Sequence, residues 1–320
     1  MPHEKDTETM IYMSNPVIFA DIFNFVLHGG EQIISAENLT EQDRTESLRR
    51  EKDDAGKIMA HQRDVTKLLT IMDDGKITYA VLGIENQAEL DPSIPWRVLR
   101  YDVERYDKQA RDIAKSNKDD NKFTLSGFTA DDKFHPVITI VVYWGTEEWT
   151  LPRTFPSMMD TQDENFLRYV PHFEIPIIEP RKLTDAELNK FSSELKTVFR
   201  FIRESSDKKR LKKLCAEDEA LKNMSSDAAY LLSAVTNVKI TLPENRKEQY
   251  DMTKGFEDWS KEERAIGRKE GRKEGRKEGR METAISNIRS LMQTLNLTAE
   301  KAMDALQIPT NDREKYLALI

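Results

Sequence analysis

Cysteine is nearly missing from this sequence. Cys215 is the one thiol among 320 residues, so a disulfide framework and a cysteine-based zinc site within the chain are both excluded. Such sparing use fits a reducing compartment. Long apolar runs are missing too, since no stretch approaches the ~20 apolar residues of a membrane span. The opening residues, MPHEKDTETM, are polar and hold no apolar signal core. The expectation is a soluble, cytoplasmic protein with no membrane partner. An excess of positive charge is also absent. Lys and Arg number 49 against 57 Asp and Glu, a net of −8. Any nucleic-acid contact must therefore come from local basic patches.

What is present is enough apolar material, 38% of residues, for one sizeable core, with a good deal of polar chain left over. The organising stretch runs from Asp64 to Gln87. It reads as two strands joined by a tight turn, because Asp74-Gly75 suits a two-residue hairpin loop that needs positive φ at both positions. With those two residues as the loop, Asp73 faces Lys76 and Asp64 faces Glu85. Opposed Cβ atoms in an antiparallel pair lie roughly 4.5–5.5 Å apart. Two carboxylates so close repel unless a cation sits between them, and Mg²⁺ prefers oxygen donors of this kind. Glu85 and Gln87, two apart on a strand, share a face. The stretch predicts an acidic metal cradle beside an amide. The alternative is a pair of ordinary solvated acids at strand ends, with a one-residue slip enough to part them.

Residues 1–14 read as a disordered lead-in. A helix follows, opened by Asn15-Pro16 and closed by His28-Gly29-Gly30. Asp21 on that helix is either a further acid for the cradle or a solvated residue. The segment around Gln32–Ser35 is a short strand or extended piece, and residues 41–61 are strongly charged, of helical or mobile character. His61 reads as a packing or surface residue. After Gln87, a long helix begins near Pro95, with Trp96, Leu99, Val103 and Tyr106 on one face. Arg97 on this helix could reach a phosphate, or pair with Asp102 or Glu104 at the surface. Pro136 opens VITIVVYW, an apolar, β-branched run typical of a strand buried on both faces. PHFEIPIIEP supplies an edge strand between prolines. A helix lying between hairpin and buried strand points to a mixed α/β layer.

From residue 181 the chain turns basic and helical. Residues 181–213 carry eleven Lys/Arg against five Asp/Glu, and Thr184 opens a capping box. Phe191, Leu195, Val198, Phe199 and Ile202 form the apolar face, and another helix lies near 226–237. Residues 241–263 read as a linker. The internal repeat GRKE-GRKE-GRKE-GR follows, and 264–280 hold eight basic and three acidic groups. Helical spacing would bring Glu270 to Lys273 and Glu274 to Lys277, against a cost of about 1 kcal/mol per glycine. The segment is a marginal helix ordered by a partner or a phosphate backbone, or else a flexible spacer. Residues 281–320 read as three short helices with breaks at Asn296 and at Ile308-Pro309-Thr310, a small module that could dock or dimerise.

These stretches, in this order, resemble a known family. FADIFNFVLHGGEQIISAENLTE, YAVLGIENQAELDPSIPWRVLRYD, VITIVVYWGTEEW, the GRKE repeat and LTAEKAMDALQIP are together similar to the recombination-promoting nuclease / transposase family of bacteria. That family sits within the PD-(D/E)XK nuclease superfamily. The resemblance covers the chain from about residue 12 to the end. It implies a restriction-endonuclease-like α/β fold, a mixed sheet flanked by helices, with a helical C-terminal extension. The core would span 15–180, with 181–240 packed on or extending it. It implies Mg²⁺-dependent DNA cleavage, with Mn²⁺ as the other candidate ion. Asp64 and Glu85 would be the metal-binding acids. Gln87 stands where the superfamily has lysine, and it carries no charge, so Arg97 is the substitute that the resemblance suggests. DNA affinity would come from phosphate contacts in 181–213 and 264–280, including Arg268, Arg272 and Arg276, and would weaken with salt. The departure at Gln87 keeps a second expectation in play, a DNA-binding or assembly protein that retains the fold without the chemistry. A homodimer through the C-terminal helices is a further expectation.

Overall fold

The computed structural model describes residues 2–41, 51–52, 58–59, 65–73, 76–122, 124–242, 245–246 and 249–320. The hairpin sits at the heart of the sheet. Strand β4 (Val65–Asp73) pairs antiparallel with β5 (Lys76–Gln87), from Asp73 against Lys76 to Val65 against Ile84. That is the predicted register. The turn residues Asp74 and Gly75, and Asp64 and His61, lie outside the described residues.

Around the hairpin, five strands form one mixed sheet in the order β1-β4-β5-β6-β7. Strand β1 (Leu39–Glu41) adds antiparallel to β4. Two short strands, β2 (Glu51–Lys52) and β3 (Ile58–Met59), pair separately with each other. Strand β6 (Val137–Tyr143) lies parallel to β5, and β7 (Ile177–Ile178) closes the edge parallel to β6. The crossover between β5 and β6 is helix α3 (Ile94–Asp119). This is the connection that parallel neighbours require. Strand β6 is buried along nearly its whole length, as its unbroken β-branched run predicts.

Helix α1 (Pro2–Ser14) replaces the expected disordered lead-in. Its composition is polar, but Glu8, Thr9, Tyr12 and Met13 fall on one buried side. Arg246 holds Glu8 at 2.6 Å, a contact 238 residues away in the chain that no local pattern could announce. Helix α2 (Pro16–His28) is capped as the sequence says: Asn15 accepts from the Val17 N–H, and Gly29 ends it at φ 63°. Residues 32–35 form no strand. Instead Asn24 fastens them, exchanging hydrogen bonds of 2.8 Å with the Ile34 backbone.

The basic segment folds as α5 (Asp185–Leu188), α6 (Leu195–Glu204) and α7 (Lys208–Glu217), after the one-turn α4 (Glu164–Leu167). The Thr184 capping box forms, and the predicted apolar face of α6 is fully buried. Helix α8 (Ser226–Val235) follows strand β8 (Met224–Ser225), which pairs with β9 (Gln249–Tyr250) inside the expected linker.

The chain divides into two units, Met1–Phe256 and Glu257–Ile320. One uninterrupted helix, α9 (Met252–Leu295), begins in the first and continues through the second. Within the second unit, α10 (Ala299–Ala305) and α11 (Thr310–Leu317) complete a small core around Ile288, Ala302 and Met303. The predicted breaks are there, with Asn296 at φ 50° and Pro309 before α11. Among the described residues, no single helix is long and apolar enough to cross a membrane.

Candidate active site

Residues 81, 83, 85 and 87 of β5 alternate to one face of the sheet. Their register partners on β6 are Val137, Thr139, Val141 and Tyr143. Helix α3 covers this face, because Ile94 and Val98 bury against Val141, Tyr143, Trp149 and Ile175. Two further bonds fix it: Thr139 Oγ1 donates to Asp102 at 2.8 Å, and the Val137 N–H donates to Tyr106 at 3.1 Å. The buried stripe of α3 is thus Ile94, Val98, Tyr101 and Arg105, not the predicted Trp96 and Val103, which are exposed. The real stripe contains an arginine, which hydropathy reading passes over.

Arg97, between Ile94 and Val98, is carried by this packing to the end of β5. Its guanidinium meets the Glu85 carboxylate, donates to Asp91 at 3.0 Å and reaches Gln87 Oε1 at 3.4 Å. The surface pairing with Asp102 or Glu104 does not form. Asp102 takes Thr139 instead, and Glu104 pairs with Arg100 at 3.5 Å. Glu85 is 1% exposed, so its charge needs a close cation to persist. Burial of Arg97 opposes its own charge, but Glu85, then Tyr101 and Asp91, outweigh this and raise its pKa above the ordinary value. Burial and the negative charge of Glu85 raise the Tyr101 phenol, with Arg97 pulling the other way. For Asp91, burial works upward. Hydrogen bonds from the Ser93 hydroxyl and N–H, joined by Arg97, overcome it and leave the carboxyl below its usual range.

Gln87 is held at both ends, since its Nε2 also donates to the Glu89 carbonyl at 2.8 Å. Asn86 points to the other face and accepts from the Trp144 indole at 2.9 Å, while the Trp144 N–H donates to the Gln87 carbonyl at 2.8 Å. The end of β5 is therefore rigidly placed. Asp91 and Tyr101 are members that sequence reading missed. The Asp91-Pro92-Ser93 turn offered a signal for the first, since Asp and Ser commonly bond their own backbone there.

Asp21 does not join this group. It is 1% exposed and accepts from the Ser192 N–H at 3.1 Å, the Ser193 N–H at 2.8 Å and the Ser193 hydroxyl at 2.5 Å. It serves as a cap for the turn into α6. Arg268, Arg272 and Arg276 lie in the second unit, exposed along α9.

Among the described residues, no group of three or more His, Cys, Asp or Glu side chains is placed to hold a metal ion. The oxygens that meet Arg97 are nonetheless those of two carboxylates and one amide, the donor chemistry of a hard cation. A guanidinium fills the role of that cation here. The donors fit Mg²⁺ in kind, and Asp64, the second acid named for it, lies outside the described residues.

The family model described as "Putative transposase, YhgA-like" matches residues 60–229. The match spans more than half of the chain and takes in the hairpin, α3, β6 and the helices to α8, so the chain belongs to this PD-(D/E)XK-like transposase family. No curated protein and no solved structure matches it. Family membership supports a nuclease-like or transposition role.

Proposed function

We propose that this chain is a metal-dependent DNA endonuclease that hydrolyses phosphodiester bonds in recombination or DNA mobility. The observation that carries the reading is the buried Glu85 on the same strand face as Gln87, with the Arg97 cation against both. The pairing of Val65 with Ile84 supports Asp64 as the acid that joins Glu85. Mg²⁺, or Mn²⁺ by the same oxygen donors, would acidify a water and neutralise phosphate charge. Glu85 and Asp64 would hold the ion. Gln87 would hydrogen-bond the attacking water, and Arg97 would supply the positive charge at the phosphate that lysine supplies in the superfamily pattern.

Nicking of supercoiled plasmid with Mg²⁺, compared for wild type, Asp64→Ala and Glu85→Gln, tests the proposal. Wild type is expected to nick and both variants to be silent, and equal cutting by all three would overturn it. One observation favours a second reading, a DNA-binding protein without catalysis. Gln87 is uncharged and engaged with Glu89 and Arg97, leaving the lysine position without a free cation. That reading expects DNA binding indifferent to Mg²⁺ and to Glu85→Ala.

A further inference from the structure

Within the second unit, α9 carries the GRKE repeat as continuous helix. Arg268, Arg272, Arg276 and Arg280 therefore recur at about 6 Å of rise, and the lysine after each of the first three stands one place further round. These seven cations, with Asp312, Lys315 and Tyr316 of α11, line a groove of about 1080 Å³. The predicted Glu270–Lys273 and Glu274–Lys277 pairs do not form. Among the described residues no ion pair neutralises any of the seven, and the one carboxylate in the lining, Asp312, is held by Lys315 at 2.9 Å. The groove is a line of seven cations outside any ion pair, about 18 Å long, from twelve residues of helical rise.

A linear cation array calls for a linear anion. The alternative of a lipid surface needs an apolar helix face. The repeat has none, because its other two stripes are glutamates and the glycines 267, 271, 275 and 279, which have open space around them. DNA carries one charge per ~1.7 Å of duplex, so about ten phosphates lie along that length of groove. We propose that this groove binds the phosphodiester backbone of DNA without reading its sequence, and independently of the Glu85 site. The inference rests on the reading of DNA as the substrate.

The test is fluorescence anisotropy of the full chain with a labelled mixed-sequence duplex, in EDTA, across a salt series. Replacing Arg268, Arg272 and Arg276 together by Gln should reduce the slope of log K against log salt by about 2.7, three phosphate contacts' worth. Affinity near physiological salt should fall at least about tenfold. The triple Arg→Lys variant should keep the wild-type slope. Circular dichroism confirms that these exposed substitutions leave the helix formed. An unchanged slope in the Gln variant, no binding by wild type in EDTA, or binding to anionic phosphatidylglycerol vesicles but not to DNA would each overturn the proposal. If the Gln variant loses binding while wild type fails to nick plasmid, the groove stands and the catalytic reading falls. If wild type nicks and the Gln variant binds unchanged, the reverse holds.

Discussion

The first unit and the GRKE repeat of the second use arginine in opposite ways. In the first, each well-placed guanidinium is committed to the chain itself. Arg97 closes on Glu85 and Asp91, and Arg246 on Glu8 and Asp227. Arg181 ties three elements together through the carbonyls of Gly145, Ile202 and Val235, at 3.1, 3.1 and 3.0 Å. In the second, the arginines of the GRKE repeat stand along α9 facing solvent. The difference separates cations that hold a fold from cations available to a partner. Arg97 is the case between them. Its partner Glu85 is buried, but Arg97 keeps about a third of its side chain exposed, at 32%. A cation held by side-chain oxygens at the edge of solvent can be exchanged, whereas one enclosed by three backbone carbonyls cannot.

The largest effect expected from this contrast is at Glu85. Glu85→Gln should lower Mg²⁺-dependent nicking about a thousandfold, the equivalent of roughly 4 kcal/mol in barrier. Next is Arg181. Burial lowers its pKa, with Tyr143 opposing, so the native fold holds a cation where charge is costly because three carbonyls need its donors. Arg181→Met should destabilise by about 2–4 kcal/mol through those orphaned acceptors, read in urea unfolding, with no change in the salt slope of DNA binding. If Arg181→Met instead flattens that slope, the division of arginines fails.

A smaller effect concerns pH. Asp91 has a folded pKa held below its unfolded value of about 3.8. The sign follows: its contribution to stability is present above the unfolded pKa and is lost as pH falls through the lower, folded one. Thermal melts below about pH 4 should therefore lose stability more steeply in wild type than in Asp91→Asn. The smallest effect lies in α9. Gly271→Ala places a methyl in open space and should stabilise the repeat helix by up to about 1 kcal/mol. The check is the helical signal of the second unit on heating. A loss of helix would mean that the glycine stripe touches something after all.

Local chemistry made a good part of this structure legible. Asn15 and Gly29 bound α2, the Thr184 box starts α5, and Asn296 and Pro309 break the C-terminal module where expected. The hairpin register came from the two loop residues, Asp74 and Gly75. The candidate site was legible only in part. Glu85, Gln87 and Arg97 were named and lie together, but the partners of Arg97 were not, and Asp91 and Tyr101 went unseen. Polar α1 was missed because its buried side is four residues wide and its anchor, Arg246, is at the far end of the first unit.

By itself, then, the sequence determined what depends on neighbours within a few residues: caps, breaks, the pairing of β4 with β5, and the sharing of a face by Glu85 and Gln87. Tertiary structure alone decided which charges meet. It set Asp21 under two serine N–H groups some 171 and 172 residues away, and it turned Arg97 inward onto Glu85 by packing Ile94 and Val98 on β6. The physical reason is range. A cap or a turn is satisfied within its own loop, whereas a buried charge takes whatever partner the packing of distant segments brings within reach.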